Sequence, residues 1–265
     1  MGKRASYKPG TFCWIELSTT DPDGAKRFYG ELFGWEPEDN EIPGGGGTYT
    51  MARVEGDAVA GITAQPEQQR SAGIPPNWFS YAAVVSADDA AARAAELGGS
   101  VHAGPFDVGE AGRMAVIGDP TGAMLGAWEA RDAIGASRVN EPGCLTWNEL
   151  ATSDVPTALS FYEGLFGWTG EVMQVGGGPA YTVIRVGERA NGGIRELSPQ
   201  ETEAGAPPYW FPYIAVDSFD EAVASCGRLG GGEVFGPIEF PAGRIGGMRD
   251  GQGALFAIWD GVLED

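Results

Sequence analysis

One histidine and three cysteines among 265 residues leave this chain poor in the side chains that hold transition metals. Cys13, Cys144 and Cys226 are an odd number at no metal-ligand spacing, so neither a disulfide framework nor a zinc site organises the fold. A reducing compartment suits such a chain, and the cytoplasm is the expected location. Positive charge is scarce as well: 17 Lys and Arg stand against 37 Asp and Glu, a net charge of −20. Nucleic acid and anionic lipid both require clustered cations, and the sequence has no basic cluster, so neither is an expected partner. No apolar run reaches the roughly 18 residues of a membrane helix. The acids are scattered rather than gathered, which describes a self-repelling, soluble surface.

What is plentiful is glycine, 43 residues, with 18 prolines, so many short elements are punctuated by turns. The length suits two domains of about 130 residues each. Self-similarity supports that division. Trp14-Ile15-Glu16-Leu17, Phe28-Tyr29 and Leu32-Phe33-Gly34-Trp35 return 133 positions later as Trp147-Asn148-Glu149-Leu150, Phe161-Tyr162 and Leu165-Phe166-Gly167-Trp168. Pro75-Pro76 with Trp78-Phe79 and Tyr81 return as Pro207-Pro208 with Trp210-Phe211 and Tyr213, and Gly112-Arg113 as Gly243-Arg244. The expected domains are residues 1–131 and 140–265, with a linker near Ala130–Pro142.

Each copy reads as strand, helix and short strands, twice over. Cys13–Ser18 alternates as a strand, and Asp21 caps a helix over Gly24–Phe33. Thr48–Val54 and Ala58–Thr63 read as strands around a turn at Glu55-Gly56-Asp57. The second cycle is Trp78–Val85, a helix over Asp88–Leu97 closed by Gly98-Gly99, and strands near Gly112–Ile117 and Ala123–Trp128. The fold class is therefore α+β, a tandem repeat of paired βαβββ units.

A strand, an Asp, then a helix carrying Phe-Tyr and ending Leu-Phe-Gly-Trp resembles the first unit of the vicinal oxygen chelate superfamily, which includes glyoxalase I, extradiol dioxygenases and bleomycin-resistance proteins. The Gly-Gly…Gly-Pro…Gly-Arg…Asp-Pro-Thr-Gly-Ala pattern over Gly98–Ala123 resembles its second unit. The resemblance covers nearly the whole chain twice. It is closest to two-domain glyoxalase-like proteins often labelled hydroxylases and found among antibiotic-biosynthesis genes. It implies that each pair of units curls a mixed sheet into a cup with helices outside and the ligand, and in many members a metal, inside.

Alternation along the strands assigns the cup faces without the family. Ile15 and Leu17 form an apolar row for the helix side, which leaves Trp14, Glu16 and Ser18 on the cup face, and Trp147, Glu149 and Ala151 in the second copy. Asn148, on the helix-side row, breaks the pattern. The fifth strand offers Phe79 and Tyr81, or Phe211 and Tyr213, and the last strand offers Gly126 and Trp128, or Ala257 and Trp259. The metal positions that the resemblance implies fall on Trp14, a site near Gly61, Phe79 and Gly126, and on Trp147, a site near Gly193, Phe211 and Ala257. None of these supplies the imidazole, carboxylate or thiolate that a divalent ion requires. No metal and no other cofactor is expected, and His102 reads as a surface residue.

An aromatic wall with one recurring acid is the composition of a small-molecule pocket. Glu16 and Glu149 are the candidate catalytic groups, since a carboxylate against Trp and Phe should have a raised pKa and act as general base or hydrogen-bond acceptor. The structural alternative is an ion pair for each, with Arg53 or Arg185. Trp14, Phe79, Tyr81, Arg113 and Trp128 are candidate ligand contacts in the first cup; Trp147, Phe211, Tyr213, Arg244 and Trp259 are their counterparts in the second. Arg113 and Arg244 are included because a guanidinium there would clamp a carboxylate or enolate. Tyr49 and Tyr181 read as core tyrosines with satisfied hydroxyls, the alternative being that they point into the cup, and Trp35 and Trp168 read as packing. Gly44–Gly47 lacks the strand-to-helix context of a phosphate cradle.

The expected partner is thus a small aromatic molecule, held by a monomer or a homodimer. The first function is binding of an aromatic or polycyclic natural product or metabolite without a metal. The alternatives are a metal-independent lyase, isomerase or tailoring enzyme using Glu16 or Glu149 for proton transfer, and then a metal-dependent glyoxalase or dioxygenase.

Overall fold

The computed structural model describes residues 2–42, 46–174 and 180–263. Its first half runs β1 (Phe12–Thr19), α1 (Pro22–Phe33), β2 (Glu36–Glu41), β3 (Thr48–Val54), β4 (Asp57–Ala64), α2 (Glu67–Ser71), β5 (Asn77–Ala83), α3 (Ala87–Glu96), β6 (Ser100–Val108), β7 (Gly112–Gly118) and β8 (Met124–Ala130). The second half repeats the order with β9 (Leu145–Thr152), α4 (Val155–Phe166), β10 (Thr169–Gln174), β11 (Ala180–Val186), β12 (Arg189–Glu196), α5 (Pro199–Glu203), β13 (Tyr209–Ala215), α6 (Phe219–Arg228), β14 (Gly232–Phe240), β15 (Gly243–Arg249) and β16 (Leu255–Gly261).

Capping explains where the long helices begin and end. The Asp21 carboxylate accepts from the Gly24 N–H at 2.9 Å, Pro22 supplies the fixed φ of the first turn, and Gly34 closes α1 at φ 72°. Asp154 and Gly167 repeat the arrangement around α4.

Each half forms one eight-stranded mixed sheet, in the order β2-β3-β4-β1-β5-β8-β7-β6 and its counterpart β10-β11-β12-β9-β13-β16-β15-β14. The strand β1 is parallel to β4 and antiparallel to β5, and β5 is parallel to β8, so the two βαβββ units meet at the β1–β5 seam. The architecture is the α+β tandem repeat of paired βαβββ units. The strands β2 and β10 were invisible to alternation because every residue in them is exposed.

The two halves interlock through their helix sides. Tyr29 of α1 donates to Asp250, in the turn before β16, at 3.0 Å, and Tyr162 of α4 lies close to Asp119 in the matching turn of the first half. Trp35 donates to the Gly143 carbonyl at 2.6 Å and Trp168 to that of Gly10 at 2.7 Å, so both tryptophans pack and staple. One apolar core accordingly joins Ile15, Leu17 and Tyr29 of the first half to Phe219, Phe256 and Ile258 of the second. Asn148, the residue that breaks the β9 pattern, accepts a 2.6 Å bond from Ser80 of β5, and both are fully buried. The anomaly is a polar stitch between the sheets, satisfied as a buried amide must be.

The segment between the sheets is anchored too. Arg138 bonds Asp57 at 3.0 Å, Glu55 at 2.7 Å and Glu141 at 2.7 Å. Among the described residues no helix is long and apolar enough to cross a membrane.

Candidate functional site: the two sheet cups

In the first cup the register sets Gly61, Glu16 and Phe79 side by side across β4, β1 and β5, and Trp14, Tyr81 and Gly126 across β1, β5 and β8. Trp14, Glu16, Phe79, Tyr81 and Trp128 therefore share the face that alternation assigned to them. Tyr49 joins them from β3: its hydroxyl accepts from Trp14 Nε1 at 2.9 Å and donates to the Glu16 carboxylate. Its hydroxyl is satisfied, as expected, but by the cup's own polar group. Trp128 donates to the Ala133 carbonyl at 2.9 Å and lies at the rim over Gly112.

The glycines at the implied metal positions have a steric cause. A Cβ on Gly61 would lie 2.1 Å from the Tyr49 hydroxyl oxygen, and one on Gly126 would lie 2.1 Å from Tyr81 Cδ1. Two tyrosines thus fill the space where those strands would present ligands. No group of three or more His, Cys, Asp or Glu side chains arranged to hold a metal ion occurs among the described residues.

Glu16 is partly buried and makes no ion pair among the described residues. Burial pushes its carboxyl up to about 7, against the opposing hydrogen bond from Tyr49. Burial, followed by the nearby Glu16 charge, also holds the Tyr49 and Tyr81 phenols well above their usual range, so both remain protonated donors. Glu16 is consequently the group in this cup that can take up and release a proton near neutrality.

The second cup repeats the scaffold and changes the electrostatics. Trp147 donates to Tyr181 at 2.8 Å, and a Cβ on Gly193 would lie 2.0 Å from the Tyr181 hydroxyl. Glu149, however, is only 4% exposed and is gripped by Arg195 Nε at 2.7 Å and Tyr213 Oη at 2.8 Å. The Arg195 guanidinium lies 5.7 Å from the Phe211 ring centre and forks onto Glu201 at 2.7 and 2.9 Å. Burial would raise the Glu201 carboxyl, but bonds from Arg195, Tyr209 and Ser198 outweigh it and hold it down at about 2. Phe235 fills the space over Gly247, where the first half carries Ala103 and Val116. Glu149, Phe211 and Tyr213 are all buried, and Trp259 remains at the rim with its N–H on the Val262 carbonyl at 3.2 Å.

Some expected site residues lie elsewhere. Arg113 shares the helix-side row with buried Ala115 and Ile117, where it forks onto Asp88 of α3 at 2.7 and 3.0 Å and bonds Asp107 at 3.0 Å. Arg244 reaches Asp260 at 3.0 Å and stacks over Phe219 of α6. Both arginines fasten helices and face away from the cups, so the clamp expected of them is corrected. The ion-pair alternative is met at Glu149 by Arg195 rather than by Arg185, which pairs with Glu171, while Arg53 pairs with Glu38. Arg195 was missed although its signal was present: on β12 it shares parity with Gly193, which lies directly beside Glu149. His102 is exposed beside Ser100. Of Gly44–Gly47, Gly44 and Gly45 lie outside the described residues.

Comparison with known proteins agrees with this architecture. Residues 11–126 match the model of the Glyoxalase/Bleomycin resistance protein/Dioxygenase superfamily. The chain is 42% identical to "Putative glyoxylase CFP32" of Mycobacterium tuberculosis, covering 97% of both chains. It is 32% identical to "Anthracycline biosynthesis protein DauV" of a Streptomyces species, covering 95% of this chain and 94% of that one. Among solved structures, the Mn(II)-bound glyoxalase of Novosphingobium aromaticivorans superposes with a TM-score of 0.65 at 15% identity, covering 98% of this chain and 83% of that one. The 2,3-dioxygenase LapB of Pseudomonas sp. KL28 gives 0.67 at 11% identity, covering 98% and 96%. Sheet order, repeat and sequence relatives together place the chain in the glyoxalase/bleomycin resistance protein/dioxygenase superfamily, to which it belongs.

Proposed function

We propose that the first cup is a small-molecule site that works without a bound metal ion and takes an aromatic or polycyclic natural product or metabolite. The observation that carries this reading is Glu16: a partly buried carboxylate with no cationic partner among the described residues, set among Trp14, Phe79, Tyr81 and Trp128. Ring faces supply contact area and one polar group supplies orientation, which is how small-molecule sites divide their labour. The kinship with proteins named for anthracycline biosynthesis favours a fused-ring ligand, since anthracyclines are polycyclic aromatic compounds.

A divalent ion does not fit the donor set. One carboxylate remains at the centre, flanked by two phenols that stay protonated and by glycines whose side-chain space the tyrosines occupy. Ion binding needs several converging lone pairs from anionic or imidazole donors, and the cup presents one such group. Metal analysis of chelator-washed protein tests this point: ligand binding unchanged by the wash supports the reading, and recovery of binding only on adding a divalent ion contradicts it.

A second reading is carried by the Glu16 carboxyl at about 7. A base of that strength is suited to removing a proton from carbon or oxygen of a bound ligand at neutral pH, as a lyase, isomerase or tailoring enzyme requires. Under this reading Glu16→Gln abolishes turnover while leaving ligand affinity largely intact, and Glu149→Gln leaves turnover in place. Unchanged turnover in Glu16→Gln would eliminate it.

A further inference from the structure

The two cups share a scaffold, so the second serves as an internal template for what the first lacks. In the second, a guanidinium sits between the Glu149 carboxylate and the Phe211 ring, at 2.7 Å and 5.7 Å. Its other N–H groups bond the Glu201 carboxylate and the Glu196 carbonyl. At the corresponding places the first cup carries Thr63 for Arg195 and Gln69 for Glu201, both neutral, while Glu16 and Phe79 preserve the carboxylate and the ring. Ser18 and Gln69 satisfy each other at 3.4 Å and leave Glu16 aside. A cation's position is thus conserved in shape and vacated in charge. Phe79 is correspondingly more exposed than Phe211, and Glu16 more than Glu149.

Resting on the reading that the first cup is the ligand site, we infer that its ligand brings the missing cation: an aromatic compound bearing a protonated amine, amidine or guanidinium that docks against Glu16 and the Phe79 face. Three physical effects act together in such a complex. The charge-assisted bond satisfies a carboxylate that burial otherwise penalises. The ring attracts the same cation, as Phe211 attracts Arg195. The chain's net charge of −20 concentrates cations around it and disfavours anionic ligands.

The test uses the full chain and a matched pair of probes, 2-naphthylmethylammonium and its neutral isostere 2-naphthylmethanol, titrated by calorimetry at neutral pH. The expected result is an affinity at least about tenfold higher for the ammonium, with that preference lost in Glu16→Gln while the alcohol is little changed. Thr63→Arg, which installs the second cup's cation in the first, should abolish ammonium binding and raise the melting temperature, so a folded variant reports on the same contact. If the alcohol binds as tightly as the ammonium, or the preference survives Glu16→Gln, the cation inference falls while the aromatic site stands. If neither probe binds, the aromatic-site reading falls and this inference with it.

Discussion

Arg195 of β12 reaches Glu149 of β9 at 2.7 Å, and Thr63, at the matching position of β4, leaves Glu16 of β1 with no cation among the described residues. One duplication has therefore yielded a cup closed by its own ion pair and a cup with a carboxylate left to titrate.

Removing the closing guanidinium should be costly. Arg195→Thr strands Glu149, which is 4% exposed, and breaks the fork onto Glu201, so a loss of about 3–5 kcal/mol is expected by chemical denaturation. The same variant should change the acid limb of the stability curve. Glu201 is held at about 2, below its unfolded value of 4.5, so its contribution is full above pH 4.5 and is lost as pH falls toward 2. The variant should lose less stability over that acid interval than the parent; an unchanged slope would contradict the role given to Arg195.

Glu16 acts with the opposite sign. Its folded value of about 7 lies above the ordinary 4.5, so the folded state holds the extra proton in that interval. The stability this confers is complete below pH 4.5 and is lost as pH rises through 7. Glu16→Gln should therefore match the parent at pH 4 and exceed it at pH 8, by about 2 kcal/mol once partial solvent access is allowed for. The groups facing Glu16 are Trp14, Tyr49, Phe79 and Tyr81, none of which titrates in that range. Melting curves at the two pH values decide the matter.

Gly61 and Tyr49 occupy one volume, since a Cβ on the first would lie 2.1 Å from the hydroxyl of the second. Gly61→Ala should destabilise by about 1–3 kcal/mol, the usual cost of overpacking. The penalty should shrink in a Tyr49→Ala background, a coupling that a double-mutant cycle measures directly. Equal penalties in both backgrounds would mean that the tyrosine is not the obstruction.

Ser80→Ala should cost about 1–3 kcal/mol, because it leaves the buried Asn148 amide oxygen without its donor between the sheets. Ser80→Ala combined with Asn148→Leu should recover part of the loss. Thermal unfolding of the single and double variants provides the comparison.

The repeat and the first-strand alternation carried the fold, because Trp14, Glu16 and their copies sit on strands with one apolar and one mixed face. The N-cap Asp21 also placed α1 at Gly24–Phe33, nearly its observed span. Three features escaped for identifiable reasons. The all-exposed strand β2 has no buried row and therefore no period. Asn148 depends on Ser80, which lies 68 positions away and across two sheets. Arg113 and Arg244 follow a glycine at a strand start, and only the burial of Ala115 and Ile117 shows that the row they occupy is the helix side. The composition of the cup faces was readable from parity, whereas the difference between Glu16 and Glu149 arises from Arg195, a residue that the repeat does not duplicate.

The most direct test is the stoichiometry with which chelator-washed protein binds a fused-ring aromatic compound, measured by calorimetry on the parent chain and on Glu16→Gln and Glu149→Gln. One ligand per chain is expected, with the affinity of a fused-ring compound that carries an ammonium group lowered by Glu16→Gln and unaffected by Glu149→Gln. Two equivalent ligands per chain, or a response confined to Glu149→Gln, would contradict it.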